Sequence, residues 1–420
     1  MSLQLQGIRF NHDPLDSSRS ALNIRRNAWA VVAMPEWTPA TLGASQSVAA
    51  YATGAVDPAQ VFLMARFGSP LLRQAAVQIR TVRPQPPDLP LAWQGWLNVL
   101  SLTNPLAYAA WRDYLGAVWA AAWELGSDLL GQIVPTQIVL DASGDSGWVV
   151  LPLFGNRLRD AGVGRHELAL RWQWRTPGSL WWDDLQISRH LIYTVLRVPT
   201  LPWLQQPFDA SNTQLPWVDA LDRACTWAAG ARDPREASSQ ITRAVYQLGD
   251  VGVLEYGCGV GAGAAYSFPH FNLSAFLERV AGGFGRGAYV NCSDCATFVS
   301  TLANLLGDDL WQSQMRESLI GFSVNPIRAI GTALYAPPCG IGSFRYHEVA
   351  WTGATGNNDS VYDACLELDA TFGGLPQPLL ASHLRFGAAG DGQYRDLLAA
   401  PWSRNACMPR PEMRLRRSVF

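Results

Sequence analysis

Strict alternation of apolar and polar residues restricts much of the first half of the chain to β-structure. In "HELALRWQWR", Leu168, Leu170, Trp172 and Trp174 fall on one face, and mostly polar residues fall on the other. This period of two is typical of a strand with one buried face. Gly- and Asp-rich turn signals such as "ASGDSG" separate similar stretches, as they do in a sandwich. The pattern predicts an N-terminal β-rich, sandwich-like module over residues 1–205.

Two segments break this alternation. "PLAYAAWRDYLGAVWAAAWELGSDLLGQ" is rich in Ala and has no β-branched runs, which predicts a helical insertion in the module. "RVPTLPWLQQPFDASNTQLPW" carries four prolines and predicts a linker near residues 198–216. We expect a second domain over residues 206–385 and a C-terminal extension over residues 386–420. The Arg-rich last residues of that extension predict an exposed tail.

The charge of the chain excludes some partners. Lys and Arg number 32 against 34 Asp and Glu, which gives a formal net charge of −2. Such a chain has no basic field that would hold nucleic acid by counterion release. The longest apolar stretches are interrupted by Arg112, Asp113 and Glu124, so none has the roughly 20 residues that a membrane span needs. We expect no nucleic acid partner and no membrane span.

The N-terminus and the cysteines predict a compartment. The first residues, "MSLQLQGIRFNHDPLDSSRS", lack the basic and then apolar regions of a secretory signal. The chain has seven cysteines, an odd number, and a secreted disulfide scaffold more often has an even set in a short chain. We therefore expect a cytoplasmic protein, with export by a signal-independent route left open.

The segment "YVNCSDCATFVSTLANLLG" carries two cysteines where a polar loop becomes an apolar run. Phe298, Leu302 and Leu306 recur at helical spacing, which predicts a helix from near Cys292 to just before Gly307. Unpaired N–H groups and the macrodipole at a helix N-terminus favour a thiolate over a thiol. Cys292 is therefore the candidate nucleophile.

A thiolate nucleophile needs a proton acceptor and a group that orients the acceptor. "RYHEVAW" and "VYDACLEL" alternate as strands around the turn "GATGNNDS", which predicts a hairpin that carries His347 and an acid. Asp363 and Asp369 share one face of the second strand. Because Asp363 lies among apolar residues, where an unpaired carboxylate is costly, it is the favoured partner of His347.

These residues resemble the transglutaminase-like superfamily of papain-fold cysteine enzymes. The family's nucleophile motif is matched by Cys292, Asp294, Ala296 and Leu306 with Gly307. "HEVAW", which begins at His347, matches the second motif, a His on a strand with Val and Trp close by. The resemblance covers about residues 215–375 and implies an α+β fold with a papain-like core domain behind the β-rich module.

The resemblance also implies the remaining site residues. The family's third motif is an Asp on the strand after the His, which "VYDA" at Asp363 and "LDAT" at Asp369 both resemble; we favour Asp363. Transglutaminases carry an aromatic residue some three dozen positions before the nucleophile that stabilises the oxyanion, and Tyr256 occupies this position. The alternative for Tyr256 is a buried tyrosine with a structural hydrogen bond.

The resemblance implies cysteine-dependent acyl transfer, with Cys292 as nucleophile, His347 as base and Asp363 as the orienting acid. We favour a protease or amidase that hydrolyses peptide or isopeptide bonds in a protein or peptide substrate, without cofactor or metal. The chain lacks an acidic calcium-binding run and is much shorter than a full transglutaminase. The alternatives are a crosslinking transglutaminase and an inactive binding or structural module. The N-terminal half is a candidate surface for a substrate or a partner protein.

Other interpretations of the cysteines stay open. Cys292 and Cys295 form a C-x2-C pair that Cys258, Cys339 or His347 could complete as a zinc site, although no second pair at close spacing exists. A thioredoxin-like redox pair would need a βαβ pattern. Otherwise Cys295 packs as a small hydrophobe. The simplest prediction for the remaining cysteines is burial as apolar residues, and these are Cys225, Cys258, Cys365 and Cys407.

Overall fold

The chain is a mixed α and β structure, with most of its described helices in the second half. The computed structural model describes residues 3–39, 47–82, 91–104, 107–116, 129–258, 263–316, 321–371 and 375–420. Within these ranges, no helix is both long and apolar enough to cross a membrane.

Two sheets occupy the described part of the first half. The smaller has the order β1-β3-β6 and contains β1 (Gln4–Arg9), β3 (Phe62–Gly68) and β6 (Asp145–Pro152). The larger has the order β2-β8-β7-β4-β5 and contains β2 (Val48–Ala52), β4 (Ala76–Val82), β5 (Thr136–Val139), β7 (Gly164–Arg175) and β8 (Asp183–Val195). Within both sheets the neighbouring strands run antiparallel, except that β2 and β8 are parallel.

The predicted alternation in β7 is confirmed. Leu168, Leu170, Trp172 and Trp174 are each exposed by 6% or less. They belong to a hydrophobic cluster to which the smaller sheet also contributes, for example through Leu63 of β3. The two sheets therefore bury a common core between them. A sandwich-like N-terminal module stays a prediction.

The larger sheet also packs against the second half of the chain. In β2, Ala49 and Tyr51 belong to the cluster between the sheets, whereas Val48 and Ala50 belong to a second, larger cluster. Tyr193 of β8 lies in that larger cluster as well. This sheet is thus buried on both faces, which explains why β2 is apolar throughout. The domain boundary near residue 205 stays a prediction.

The predicted helical insertion falls partly on described residues. Helix α1 (Leu91–Thr103) and a helical stretch over residues 107–116 lie between β4 and β5 in the chain. Residues 105–106 and 117–128, which belong to the predicted segment, lie outside the described residues. The helical prediction is confirmed over residues 107–116. It is wrong at residues 129–132, which form no helix and pair with Phe154 through Gln132.

The second half surrounds one buried helix. Its helices are α2 (Val218–Trp227), α3 (Pro234–Asp250), α4 (Leu273–Val280), α5 (Cys292–Leu305) and α6 (Tyr394–Leu398). Its main sheet has the order β11-β15-β16-β13 and contains β11 (Trp311–Met315), β13 (Arg328–Ala329), β15 (His347–Trp351) and β16 (Ser360–Asp369), with β17 (Pro378–Arg385) also paired to β16. Two small sheets pair β9 (Glu255–Tyr256) with β10 (Tyr289–Val290) and β12 (Phe322–Ser323) with β14 (Ser343–Phe344). Short 3-10 helices lie at Leu158–Asp160, Pro338–Gly340, Pro401–Ala406 and Pro411–Met413.

The helix predicted in the cysteine segment is confirmed. It begins at Cys292 and ends at Leu305, and Gly307 beyond it has a φ of +96°. All its residues are buried, because α5 packs against β15, β16 and α3. A helix buried on every side must find partners for its polar side chains. Asn304, for example, exchanges hydrogen bonds with the backbone of Leu310.

The predicted linker and tail are both packed against the core. The linker near residues 198–216 has no helix or strand, yet Trp203 within it is only 1% exposed. At the C-terminus, Val419 is buried and Arg417 forms an ion pair with Glu348. The prediction of an exposed tail is therefore wrong. An Arg-rich composition does not reveal the buried carboxylate that the segment reaches.

Candidate active site

The start of α5 is fixed by a reciprocal cap. Asn291 Oδ1 accepts a hydrogen bond from the backbone N–H of Asp294 (3.1 Å), and the Asp294 carboxylate accepts one from the N–H of Asn291 (3.2 Å). Such a capping box satisfies two N–H groups that the helix itself cannot pair. Cys292 is thereby held in the first turn, at the positive end of the helix dipole.

Asp294 also ties the preceding loop to this helix. Its carboxylate, which is fully buried, accepts hydrogen bonds from the backbone N–H groups of Ala265, Tyr266 and Ser267 at 2.9 to 3.0 Å. The Ser267 hydroxyl adds another at 2.8 Å. Burial raises the pKa of Asp294, and these hydrogen bonds oppose that effect. Asp294 thereby positions the chain around the candidate nucleophile.

The predicted hairpin is confirmed and brings His347 against Asp363. β15 and β16 pair antiparallel, and His347 Nε2 lies 2.9 Å from Asp363 Oδ2 with both side chains at most 1% exposed. Asp363 Oδ2 also accepts a hydrogen bond from the hydroxyl of Tyr394 (2.7 Å), while Oδ1 accepts from the backbone N–H groups of Cys365 and Leu366. Four donors therefore hold this carboxylate. Tyr394 could not be predicted from the sequence, because it lies 31 residues from Asp363 in another element.

The alternative acid, Asp369, lies elsewhere. Its Oδ1 accepts hydrogen bonds from the N–H and hydroxyl of Thr371 and from the N–H of Gln377, so it shapes the turn after β16. The favoured partner, Asp363, is the acid next to His347 in the structure. The orienting role of that acid stays a proposal.

The environment of the His347 imidazole depends on Cys292 as well as on Asp363. Nδ1 is buried and has no partner within strict hydrogen-bond geometry among the described residues, but Cys292 is close enough to act on the ring as a hydrogen-bond partner. Burial, the largest single influence, lowers the pKa of His347, but Asp363 and Cys292 together raise it to about 10. The ring of Phe344 stacks on the imidazole, with centroids 5.3 Å apart and planes 15° apart. The imidazole is thus fixed between an acid, an aromatic ring and a thiol.

A cleft of about 590 Å³ opens onto Cys292. Tyr256 lines the same cleft, and the pairing of β9 with β10 sets Tyr256 opposite Val290, two residues before Cys292. Burial, followed by the charges of Cys365 and Cys292 among others, raises the pKa of Tyr256 well above its ordinary value. The phenol therefore keeps its proton and is available as a donor on the cleft wall.

Cys295 is not on the cleft. It is fully buried and shares a hydrogen bond with the thiol of Cys365. That bond lowers the pKa of Cys295, but burial and neighbouring negative charge outweigh it, so the pKa is raised overall. Cys292 and Cys295 are both free thiols. The second cysteine packs in the core, as predicted.

Two other cysteines form a disulfide on the rim of the cleft. Cys258 and Cys339 are bonded, with their Cα atoms 5.2 Å apart, and both line the cleft. The prediction that Cys258 is a buried apolar thiol is therefore wrong, and neither cysteine is free to complete a zinc site with Cys292. The sequence could not show this pairing, because the two residues are 81 positions apart. Across the described residues, no group of three or more His, Cys, Asp or Glu is arranged to hold a metal ion.

The disulfide bears on the argument that an odd number of cysteines indicates a cytoplasmic protein. One bonded pair and five free cysteines give an odd count just as seven free cysteines do. The odd number therefore does not favour a reducing compartment. The cytoplasmic location stays a prediction.

A buried ion pair lies directly behind the candidate site. Glu348, which follows His347 in β15, is 1% exposed and contacts Arg417 Nη1 at 2.5 Å. Its Oε2 accepts a hydrogen bond from the hydroxyl of Ser293 (3.1 Å), the residue after Cys292. This network therefore connects Ser293, which follows Cys292, to Glu348, which follows His347. The sequence signal for it was a charged residue inside the apolar strand "HEVAW", where a buried carboxylate needs a partner.

Removing the cation of this pair is expected to destabilise the fold. Arg417→Met leaves the Glu348 carboxylate buried and uncompensated, so we expect the free energy of unfolding to fall by about 3–5 kcal/mol. Urea denaturation measures this change. Arg414→Met is the matched control, because Arg414 lies in the same segment but is exposed over the ring of Trp311, and it should cost about 1 kcal/mol or less. Equal losses of unfolding free energy in the two variants would contradict the conclusion that Arg417 compensates the buried charge of Glu348.

The chain has no detectable sequence relative among known families and a weak structural similarity to a solved protein. No protein-family model matches the chain, and no curated protein matches it. Among solved structures, red sea bream transglutaminase is similar, with a TM-score of 0.34 and 10% sequence identity over 72% of this chain and 48% of that chain. The chain thus spans about half the length of that transglutaminase. A similarity of this size does not establish a family.

Proposed function

We propose that this chain is a cysteine-dependent acyl-transfer enzyme that hydrolyses peptide or isopeptide bonds through Cys292, His347 and Asp363. The observation that carries the proposal is the imidazole of His347. Its Nε2 is bonded to a buried carboxylate, while its buried Nδ1 has no partner within strict hydrogen-bond geometry among the described residues. A buried polar atom without a partner is costly. A thiolate at Cys292, whose charge raises the pKa of the same ring, supplies one.

The reaction begins with the thiolate and the imidazolium. Cys292 Sγ attacks the amide carbonyl carbon, and the electron pair of the C=O π bond moves to oxygen. As the C–N bond breaks, His347 donates its Nδ1 proton to the leaving nitrogen, and a thioester remains. Water then attacks the thioester while His347 takes its proton, and the thiolate leaves again. Asp363 keeps its bond to Nε2 throughout, so it holds the ring in place and stabilises the imidazolium.

Two groups support the oxyanion in this scheme. The hydroxyl of Tyr256 is protonated and lies on the cleft wall, so it is a suitable donor to the developing charge. The positive end of α5 at Cys292 stabilises the same charge, because the first N–H groups of a helix have no intrahelical acceptor. Neither group changes its charge during the reaction.

The thioester reacts with water or with a primary amine, so hydrolysis and crosslinking differ only in the second nucleophile. The test is to incubate the purified chain with unstructured polypeptides, with and without a fluorescent alkylamine, and to identify products by mass spectrometry. New carboxyl termini support hydrolysis. Amine incorporated at glutamine side chains would instead support the transglutaminase alternative. Neither product, from protein whose Cys292 still reacts with iodoacetamide, would support an inactive module.

A further inference from the structure

The cleft that opens onto Cys292 has an unbalanced charge. Among the described residues that line it, Arg345 is the one that carries a cationic side chain, and no Asp or Glu accompanies it. The other lining residues are apolar, glycine or neutral polar, and the disulfide forms part of the rim. A substrate that fills this cleft therefore meets one positive charge.

None of the described residues neutralises Arg345. Its side chain is exposed and makes no hydrogen bond or ion pair with any described residue. The nearby buried carboxylates already have partners, since Glu348 is paired with Arg417 and Asp363 is held by four donors. The guanidinium is therefore available to a ligand, and it presents several donors in a planar arrangement that matches a carboxylate.

The backbone of Arg345 is held at a fixed place relative to the reaction centre. It lies between β14, whose Phe344 stacks on the imidazole, and β15, which begins at His347. Gly321 packs closely against this segment, where an added Cβ would come within 2.7 Å of the Arg345 Cα, and its φ is +80°. An anion bound by Arg345 would thus lie within the reach of one side chain from this segment of the cleft wall. The positive end of α5 favours negative charge at the same site.

We infer that the cleft selects acyl donors that carry a carboxylate side chain, Asp or Glu, near the bond that is cleaved. This inference rests on the proposed function for its substrate class. The preference for an anion near Cys292 rests only on the charge of the cleft. This preference should weaken as salt is added, because Arg345 is exposed and salt screens its attraction for the anion.

The first test needs no substrate. Cys292 is alkylated with iodoacetate, which is anionic, and with iodoacetamide, which is neutral and of similar size, and the two rates are measured by mass spectrometry of the Cys292 peptide. We expect Arg345→Glu to lower the ratio of the iodoacetate rate to the iodoacetamide rate by about tenfold. Arg189→Glu makes the same charge change on an exposed position of β8 outside the cleft, and should leave the ratio within about twofold. An unchanged ratio in Arg345→Glu, or an equal fall in both variants, would overturn the inference.

The second test uses peptides with one cleavable sequence and Glu, Gln or Lys at a position near the bond. The wild type should cleave the Glu peptide about tenfold faster than the Lys peptide, as kcat/KM, and Arg345→Glu should reverse this order. Cleavage that depends on Cys292 but shows no charge preference would overturn the inference and leave the proposed function standing. Absence of cleavage together with a charge-dependent alkylation ratio would overturn the proposed function and leave the anion preference standing.

Discussion

Cys292→Ala is expected to lower kcat/KM for peptide hydrolysis by about 10⁴-fold or more. Alanine removes the sulfur that forms the thioester, while Tyr256 and the end of α5 remain able to bind and polarise the carbonyl. Any residual rate should therefore come from these groups alone. The measurement is the release of new carboxyl termini from a peptide substrate at saturating and subsaturating concentrations.

Cys295→Ala is the matched control for that variant. The two cysteines lie one turn apart on α5, but Cys295 is fully buried against Cys365 and does not line the cleft. We expect kcat/KM to stay within about threefold and the free energy of unfolding to fall by about 1 kcal/mol, because a small buried group is lost. Equal loss of activity in both variants would instead support a site made of paired cysteines.

Asp363→Asn should produce the second largest loss, about 10³- to 10⁴-fold in kcat/KM. An amide at this position cannot stabilise the imidazolium, and its hydrogen bonds to His347 and Tyr394 would favour the wrong tautomer of the ring. Asp369→Asn offers the same chemical change on the same strand, at a carboxylate that only shapes a turn. It should leave kcat/KM within about twofold, and a large loss there would contradict the choice of acid.

We also expect Asp363→Asn, but not Asp369→Asn, to change the pH dependence of kcat/KM. The pKa of His347 is raised to about 10, and the charge of Asp363 is one of the causes. The imidazolium that protonates the leaving amine is therefore present below that pH and is lost as pH rises through it. Without the charge of Asp363, the alkaline limb of the profile of kcat/KM should move to lower pH. The profile of Asp369→Asn should match that of the wild type.

Local patterns were enough to predict the elements that carry the candidate site. Helical spacing and a terminal glycine predicted α5, and period-two alternation on either side of a turn predicted the hairpin of β15 and β16. Both signals arise from neighbouring residues, so no long-range information was needed. The burial argument that favoured Asp363 over Asp369 also depended only on the immediate neighbours of each residue.

The features that the sequence did not predict all depend on contacts between distant positions. Tyr394 donates to Asp363 from a short helix far along the chain, and Arg417 reaches Glu348 from the C-terminus. The disulfide between Cys258 and Cys339 joins a loop to the short 3-10 helix Pro338–Gly340, and no local pattern relates the two. In each case the residue type was visible in the sequence, but its partner was set by the tertiary fold. A charged residue in an apolar strand, as at Asp363 and Glu348, was the local sign that such a partner exists.

The rate of Cys292 alkylation by iodoacetamide as a function of pH tests the central claim most directly. In the wild type, a thiolate stabilised by the imidazolium of His347 should react rapidly below pH 7, where an ordinary thiol with a pKa near 8.5 is mostly protonated. In His347→Ala, this reaction at low pH should disappear, while circular dichroism shows that the fold is retained. Slow alkylation of the folded wild type below pH 7, or an identical profile in the folded variant, would contradict the proposed catalytic pair.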